Sequence, residues 1–418
     1  MTPVAAQETR FVLGDEQVRS LAAQFGTPLY VIDEKHLRDR ARRFVRAWDG
    51  DVSFASKANC TLAVLKTVYS EGCSVDAASE GELRFALKAG VPAAACRLHG
   101  SNKSQAELDF GIEVGVGKIV VDCFEEIERL VGRNRVPDLL LRLAPGVDPK
   151  THSKISTGQA DTKFGFSMAD APRAVARCLE LGLPLIGYHC HVGSQLLDPE
   201  AQITGAETLA KFAVAMKREQ GFEAKFINVG GGLGVRYTSD DRPMEIEDYC
   251  RAVRAALDEA LNGELSPAFG MEPGRSIVAE SGVTVYTVGV VKTAGTGRVY
   301  VGVDGGLSDN PRPVMYSAKY DLVWHSGSSS GTKTVTVSGK HCETDALFAD
   351  VQAPTGVAAG DLVQVLCTGA YNSSMASNYN CYPRPATVFL RESGEAVVVQ
   401  KRESWEQLLQ RDVLPEGL

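Results

Sequence analysis

Several absences narrow the field at once. No apolar run reaches the roughly 20 residues that a bilayer-spanning helix needs, and the chain begins with Glu8 and Arg10 where a secretory signal would need an apolar core. Ten cysteines are scattered without a single C-x-x-C pair, which excludes the common zinc and disulfide frameworks and reads as reduced, mostly buried thiols. Histidine is scarce, seven residues in all, and no third histidine-rich cluster with a neighbouring aspartate completes a metal site, so no metal is expected. An excess of positive charge is also missing. With a formal net charge of −8, the surface suits neither nucleic acid nor an anionic membrane. The G-x-G-x-x-G dinucleotide fingerprint and solenoid or propeller repeats are absent as well. The expectation is a cytoplasmic enzyme acting on small molecules.

What remains is a long chain with ample core material: 418 residues, 44% of them hydrophobic, enough for a large barrel and one further module. A helix is expected over Gln17 to Phe25, closed by Gly26. The strand Thr27 to Asp33 follows, its aspartate placed to cap a helix through Leu37, Ala41, Phe44 and Trp48. Strand and helix patterns then alternate. The strands are expected over Val52 to Ser56, Cys73 to Ala77, Arg97 to His99, Lys118 to Val121, Leu139 to Leu143, Leu185 to Cys190, Phe226 to Val229 and Ala268 to Glu272. Most are short apolar runs without clean alternation, as strands buried on both faces are. Near residue 280 the pattern turns β-rich, with strands expected over Val283 to Thr293, Arg298 to Val303, Thr334 to Val337, Asp361 to Cys367, Ala386 to Leu390 and Ala396 to Gln400. The run Ser326 to Gly331 reads as a hairpin tip or loop. The fold class is therefore α/β: an N-terminal β/α (TIM-like) barrel over residues 33–280 and a C-terminal antiparallel β-domain over 281–418, with residues 1–32 joining the β-domain.

Certain residues stand where a barrel keeps its chemistry, at strand C-terminal ends. Lys57 ends the first such strand, and a partly desolvated amine there can attack a carbonyl; a solvated lysine at a helix start is the plainer alternative. Gly230, Gly231 and Gly232 follow another strand and let backbone N–H groups close on a phosphate, or simply form a turn. Glu272, Gly274 and Arg275 offer a carboxylate, a backbone donor and a guanidinium together. His189 and His191, two apart, share one side of a strand, suiting a metal pair, a surface for an aromatic cofactor, or, for His189, hydrogen bonding inside the barrel. In the second module, Arg312 with Tyr316 suits a carboxylate. Cys342 precedes Glu343 and Asp345, acids that disfavour a thiolate and suit the thiol to deliver a proton; a buried structural cysteine is the alternative. Tyr379 is placed to donate to a phosphate.

Eleven stretches occur in one family's order: Phe25 to Asp33, Ser56 to Asn59, Asp76 to Leu83, His99 to Ser104, Pro145 to Phe166, His189 to Gln195, the triple glycine, Glu272 to Ser276, Asp304 to Tyr316, Cys342 to Asp345 and Met375 to Pro385. Together they resemble the fold-type III pyridoxal-phosphate decarboxylases, the group acting on ornithine, diaminopimelate and arginine. That resemblance implies pyridoxal 5'-phosphate as cofactor and a head-to-tail homodimer with active sites at the interface. It makes Lys57 the lysine that carries the cofactor and His191 the residue stacked on its ring. Glu272 becomes the partner of the pyridinium nitrogen, with Asp76 supporting the site. Ser194, Gly231, Gly232, Gly274 and Arg275 become the phosphate and carboxylate cradle, with Tyr379 beside them. The implied reaction converts meso-2,6-diaminopimelate to L-lysine and carbon dioxide, with Cys342 from the neighbouring subunit as proton donor and Arg275, Arg312, Tyr316, Glu343 and Tyr379 holding the substrate. Departures at Ala144, Lys150, Leu307 and Cys381-Tyr382 remove no catalytic group but leave room for a relative acting on another substrate, such as carboxynorspermidine. A racemase and a non-catalytic homologue are the remaining alternatives. The segment Asp148 to Phe164 is the expected lid.

Overall fold

The computed structural model of the protein describes residues 10–147, 162–327, 330–344 and 346–418. The chain divides into two compact units, one formed by Leu37–Val235 and Asp241–Ile277, the other by the residues up to His36 together with Arg236–Asp240 and Val278–Leu418.

The first unit is a closed barrel of parallel strands. Its order around the barrel is Asp51–Ala55, Ser74–Ala77, Cys96–Leu98, Lys118–Val121, Asp138–Ala144, Leu185–Cys190, Phe226–Asn228 and Ala268–Met271, the last pairing back onto the first. Each expected barrel strand is present, with its ends within one residue of those expected. The run Leu139-Leu140-Leu141 is buried throughout, because the barrel interior takes one face and the outer helices the other. Gly187 marks how tightly the strands pack: a Cβ there would meet the Phe226 carbonyl oxygen at 1.7 Å. The helices obey local rules. Asp33 caps the helix Glu34–Ala47 by accepting from the His36 amide at 2.6 Å, and Ser104 with Glu107 forms a capping box on Gln105–Val114.

The second unit is built on a nine-stranded sheet. Leu29–Asp33 lies inside it, antiparallel to Gly282–Thr293 and parallel to Ala386–Leu390. A second parallel pair joins Val299–Val303 to Thr332–Ser338. The sheet is thus mostly, not wholly, antiparallel. Two strands had no counterpart in the sequence reading, Leu322–His325 and Ala346–Pro354. The residues flanking 326–331 do not form a hairpin with one another: Leu322–His325 pairs with Leu362–Val365, and Thr332–Ser338 with other strands; residues 328 and 329 lie outside the described ones. The core under this sheet gathers Leu13, Val18, Leu21, Leu29, Val31, Val283, Val285, Leu362 and Val388.

Candidate active site

The barrel brings its polar residues to one end. Lys57 follows Asp51–Ala55 in a single 3-10 turn, Ser56–Ala58, and its side chain is exposed. That turn is braced: the Ser56 hydroxyl lies 2.7 Å from both the Asp76 carbonyl oxygen and Glu82 Oε2, and Glu82 Oε2 accepts from the Ala78 amide at 2.8 Å. Strand register sets Arg142, His189 and Asn228 side by side, so these three point the same way.

Glu272, one residue past the strand Ala268–Met271, sits at the centre of the group. Its Oε1 lies 2.9 Å from His99 Nε2 and accepts from Asn228 Nδ2 at 2.7 Å, while its Oε2 lies 3.0 Å from His189 Nε2. Burial alone would raise its pKa, but the charges and hydrogen bonds of His99 and His189 outweigh that and hold the carboxylate well below its usual range. Burial lowers His189 to about 4 against the pull of Glu272. Donor atoms of His99, His189 and Glu272 lie within 4.8 Å of one another, a spacing a metal would accept, but both imidazoles direct Nε2 at Glu272. Asp76 is buried with Oδ1 lacking a hydrogen bond. Its pKa is pushed up to about 6, chiefly by burial, with His99 pulling it back. His191 is pushed well below its ordinary value by burial and by the Lys57 charge.

Beside this group lies an anion-seeking edge. Arg275 Nε and one terminal nitrogen each lie 3.1 Å from Ser194 Oγ. Gly231 and Gly274 exist because backbone passes close by: a Cβ on Gly231 would fall 2.2 Å from the Glu272 carbonyl oxygen, and one on Gly274 2.9 Å from Ala55. Among the described residues, the amides of Gly231 and Gly232 donate to no protein acceptor.

The other expected residues belong to the β-domain. Cys342, Glu343 and Tyr379 are exposed and lie together. The Tyr379 hydroxyl donates to the Glu343 carboxylate, the Cys342 amide donates to Asn380 Oδ1 at 3.0 Å, and the His341 ring stacks on Tyr379 with centroids 6.0 Å apart. Cys342 and Cys381 are the exposed thiols among ten free cysteines. Arg312 is buried, its guanidinium 4.7 Å from the Tyr237 ring centroid and its Nη1 donating to the Tyr320 hydroxyl at 2.5 Å. Tyr316 lies at the end of the same short helix, Arg312–Tyr316. Asp345 and residues 148–161 of the expected lid lie outside the described residues.

A profile of the family described as "Pyridoxal-dependent decarboxylase, pyridoxal binding domain" matches residues 34–279. The chain belongs to the pyridoxal-dependent decarboxylases. It is 41% identical to the diaminopimelate decarboxylase of Bacillus subtilis (strain 168), over 97% of this chain and 96% of that one. To the diaminopimelate decarboxylase of Actinosynnema pretiosum subsp. auranticum it is 43% identical, over 96% and 92%. The crystal structure of the M. jannaschii diaminopimelate decarboxylase in complex with L-lysine matches with a TM-score of 0.89 at 31% identity, covering 98% of this chain and 97% of that one. The lysine/ornithine decarboxylase of Vibrio vulnificus complexed with putrescine matches at 0.79 and 26%, over 91% and 99%.

Within this pyridoxal-dependent decarboxylase, sequence reasoning passed over the residues that hold others in place. His99 and Asn228 grip Glu272, Glu82 braces the Lys57 turn, and Tyr237 and Tyr320 enclose Arg312. The first two carried a signal. Each is a polar residue at or just past the C-terminal end of a barrel strand, where a barrel keeps its chemistry. Tyr237 carried none, being 75 residues from Arg312 in the chain.

Proposed function

We propose that this decarboxylase removes carbon dioxide from meso-2,6-diaminopimelate to give L-lysine, the last step of lysine biosynthesis, as a cytoplasmic homodimer whose subunits share their active sites. The observation that carries the reading is the Glu272 carboxylate, held ionised by three donors at the same end of the barrel as the exposed amine of Lys57. When bound, pyridoxal phosphate supplies a ring that stores the electron pair left as carbon dioxide departs.

The residues present suit that group. A buried anion matches a protonated ring nitrogen, and the unspent amides of Gly231 and Gly232, with Ser194, Gly274 and Arg275, match a phosphate. Lys57 is the attachment point. His191, deprived of its proton by burial, offers a neutral flat face to the ring, and Asp76 supports Lys57 from a buried position. Cys342 of the partner subunit delivers the proton to the carbon that lost its carboxylate, and Glu343 and Tyr379 beside it, with Arg312 and Tyr316, bind the distal amine and carboxylate. Among the described residues no helix is long and apolar enough to cross a membrane, and the identity to diaminopimelate decarboxylases over nearly the whole chain favours their substrate over ornithine.

The test is a carbon dioxide assay on diaminopimelate, ornithine and carboxynorspermidine in parallel. Release from diaminopimelate alone supports the reading, and a preference for either of the others contradicts it.

A further inference from the structure

We propose that His99 and Asn228 are positioning residues which, with His189, fix the Glu272 carboxylate in one orientation and one charge state and leave a single acceptor position, on Oε2, for the ring nitrogen. The inference rests on the cofactor reading above and concerns how the chain prepares for that group.

The hydrogen-bond count leads there. An ionised carboxylate has about four acceptor positions, two on each oxygen. His99 Nε2 and Asn228 Nδ2 use both on Oε1, at 2.9 and 2.7 Å, and His189 Nε2 uses one on Oε2, at 3.0 Å. One position remains, and it belongs to Oε2. The three partners stand on or beside three different barrel strands, so the carboxylate cannot turn without breaking contacts to all of them. A proton on the carboxyl would have to take that remaining Oε2 position, and it would cancel the negative charge to which the three N–H groups donate.

The donors are themselves held. The side-chain oxygen of Asn228 accepts from the Gly230 amide at 2.9 Å, so its NH2 group must face Glu272 and the amide cannot flip. The same bond ties the glycine loop to the carboxylate. The His99 and His189 rings meet edge to face, centroids 4.8 Å apart at 74°, each limiting the tilt of the other. Among the described residues, the remaining charged and titratable groups around Glu272 are few. Arg97 Nη1 lies 3.9 Å from Oε1, Arg142 stands in register with His189, Asp76 Oδ1 lies 3.6 Å from His99 Nε2, and Cys190 and His191 follow His189 at the end of its strand. Two guanidiniums thus favour the anion, and Asp76 is the acid that opposes it.

The experiment follows the Glu272 carboxyl by carbon-13 NMR in cofactor-free protein, with Glu272→Gln to assign the signal, in wild type, His99→Ala, His99→Gln and Asn228→Leu. The expected result is a carboxyl that stays ionised through mildly acidic pH in wild type. In His99→Ala and Asn228→Leu it should titrate there, and His99→Gln, which keeps an N–H donor, should return it toward wild type. In the loaded enzyme, kcat should fall about tenfold or more in His99→Ala with KM little changed, since the loss is of transition-state stabilisation. A Glu272 titration identical in all four proteins overturns the proposal, whatever the substrate proves to be. The NMR arm needs neither cofactor nor turnover, so failure of the decarboxylase reading leaves it intact.

Discussion

Tyr379 donates its hydroxyl to the Glu343 carboxylate, and by that bond the segment carrying Cys342 is fastened to the segment 378–382. The carboxylate raises the pKa of the phenol, keeping it a donor. In Tyr379→Phe the stack on His341 survives while the tie to Glu343 is lost. We expect kcat/KM on diaminopimelate to fall about tenfold, the scale of a hydrogen bond to a charged group. Glu343→Gln combined with Tyr379→Phe should cost less than the sum of the two alone, because the residues act as a pair; additive losses would show that they act separately.

Sharing of the site between subunits has its own check. Lys57→Ala and Cys342→Ala are each expected to lose most activity, by about a hundredfold or more for the proton donor. Mixed and re-equilibrated in equal amounts, they should recover about a quarter of wild-type activity, because half of the dimers then contain one intact site of two. No recovery after confirmed subunit exchange would place both groups in one subunit's site.

Arg312 is expected to serve the substrate and the fold at once. Its guanidinium packs on Tyr237 and donates to Tyr320, a buried cation–π contact on the order of 2 kcal/mol. Arg312→Ala should therefore lower the melting temperature as well as raise KM for diaminopimelate. Arg312→Lys keeps the charge but not the planar fork, and should recover part of the stability while KM stays high. Unchanged KM in both variants would remove Arg312 from the substrate site.

Asp309 makes a pH-dependent contribution to stability. It is buried, accepts from the Gly306 amide at 2.8 Å and from the Tyr286 hydroxyl, and burial pushes its pKa from 3.8 up to about 7 against those bonds. The folded protein therefore holds the proton more tightly than the unfolded chain. The resulting stability is complete below 3.8 and is lost as pH rises through about 7, to a limit of ~4 kcal/mol. Asp309→Asn cannot ionise, so denaturant unfolding at about pH 5 and about pH 8 should show a smaller loss of stability in the variant than in wild type. Equal losses would contradict the assignment.

The barrel was legible because strands buried on both faces must be short and apolar, and Leu139-Leu140-Leu141 or Ile119-Val120-Val121 admit little else. The β-domain was harder. Ala346–Pro354 mixes apolar residues with Asp350 and Gln352, and Leu322-Val323-Trp324-His325 is too short to stand out before a Ser/Gly run. The parallel pairing of Leu29–Asp33 with Ala386–Leu390 joins residues more than 350 positions apart, which no local pattern reports. The same limit governs the site. Lys57, His191 and Glu272 announce themselves by position at strand ends, whereas Tyr237 and Tyr320, the aromatic partners of Arg312, become visible only when the chain is folded.

On the proposed function, the Lys57 amine carries pyridoxal phosphate. Borohydride reduction of the purified, cofactor-loaded protein, followed by peptide mass mapping, tests it directly. The expected result is a loss of the visible absorption band and a reduced pyridoxyl group on the peptide containing Lys57, with both absent in Lys57→Ala. A pyridoxyl group on another lysine, or an unlabelled Lys57 peptide in an active protein, would contradict it.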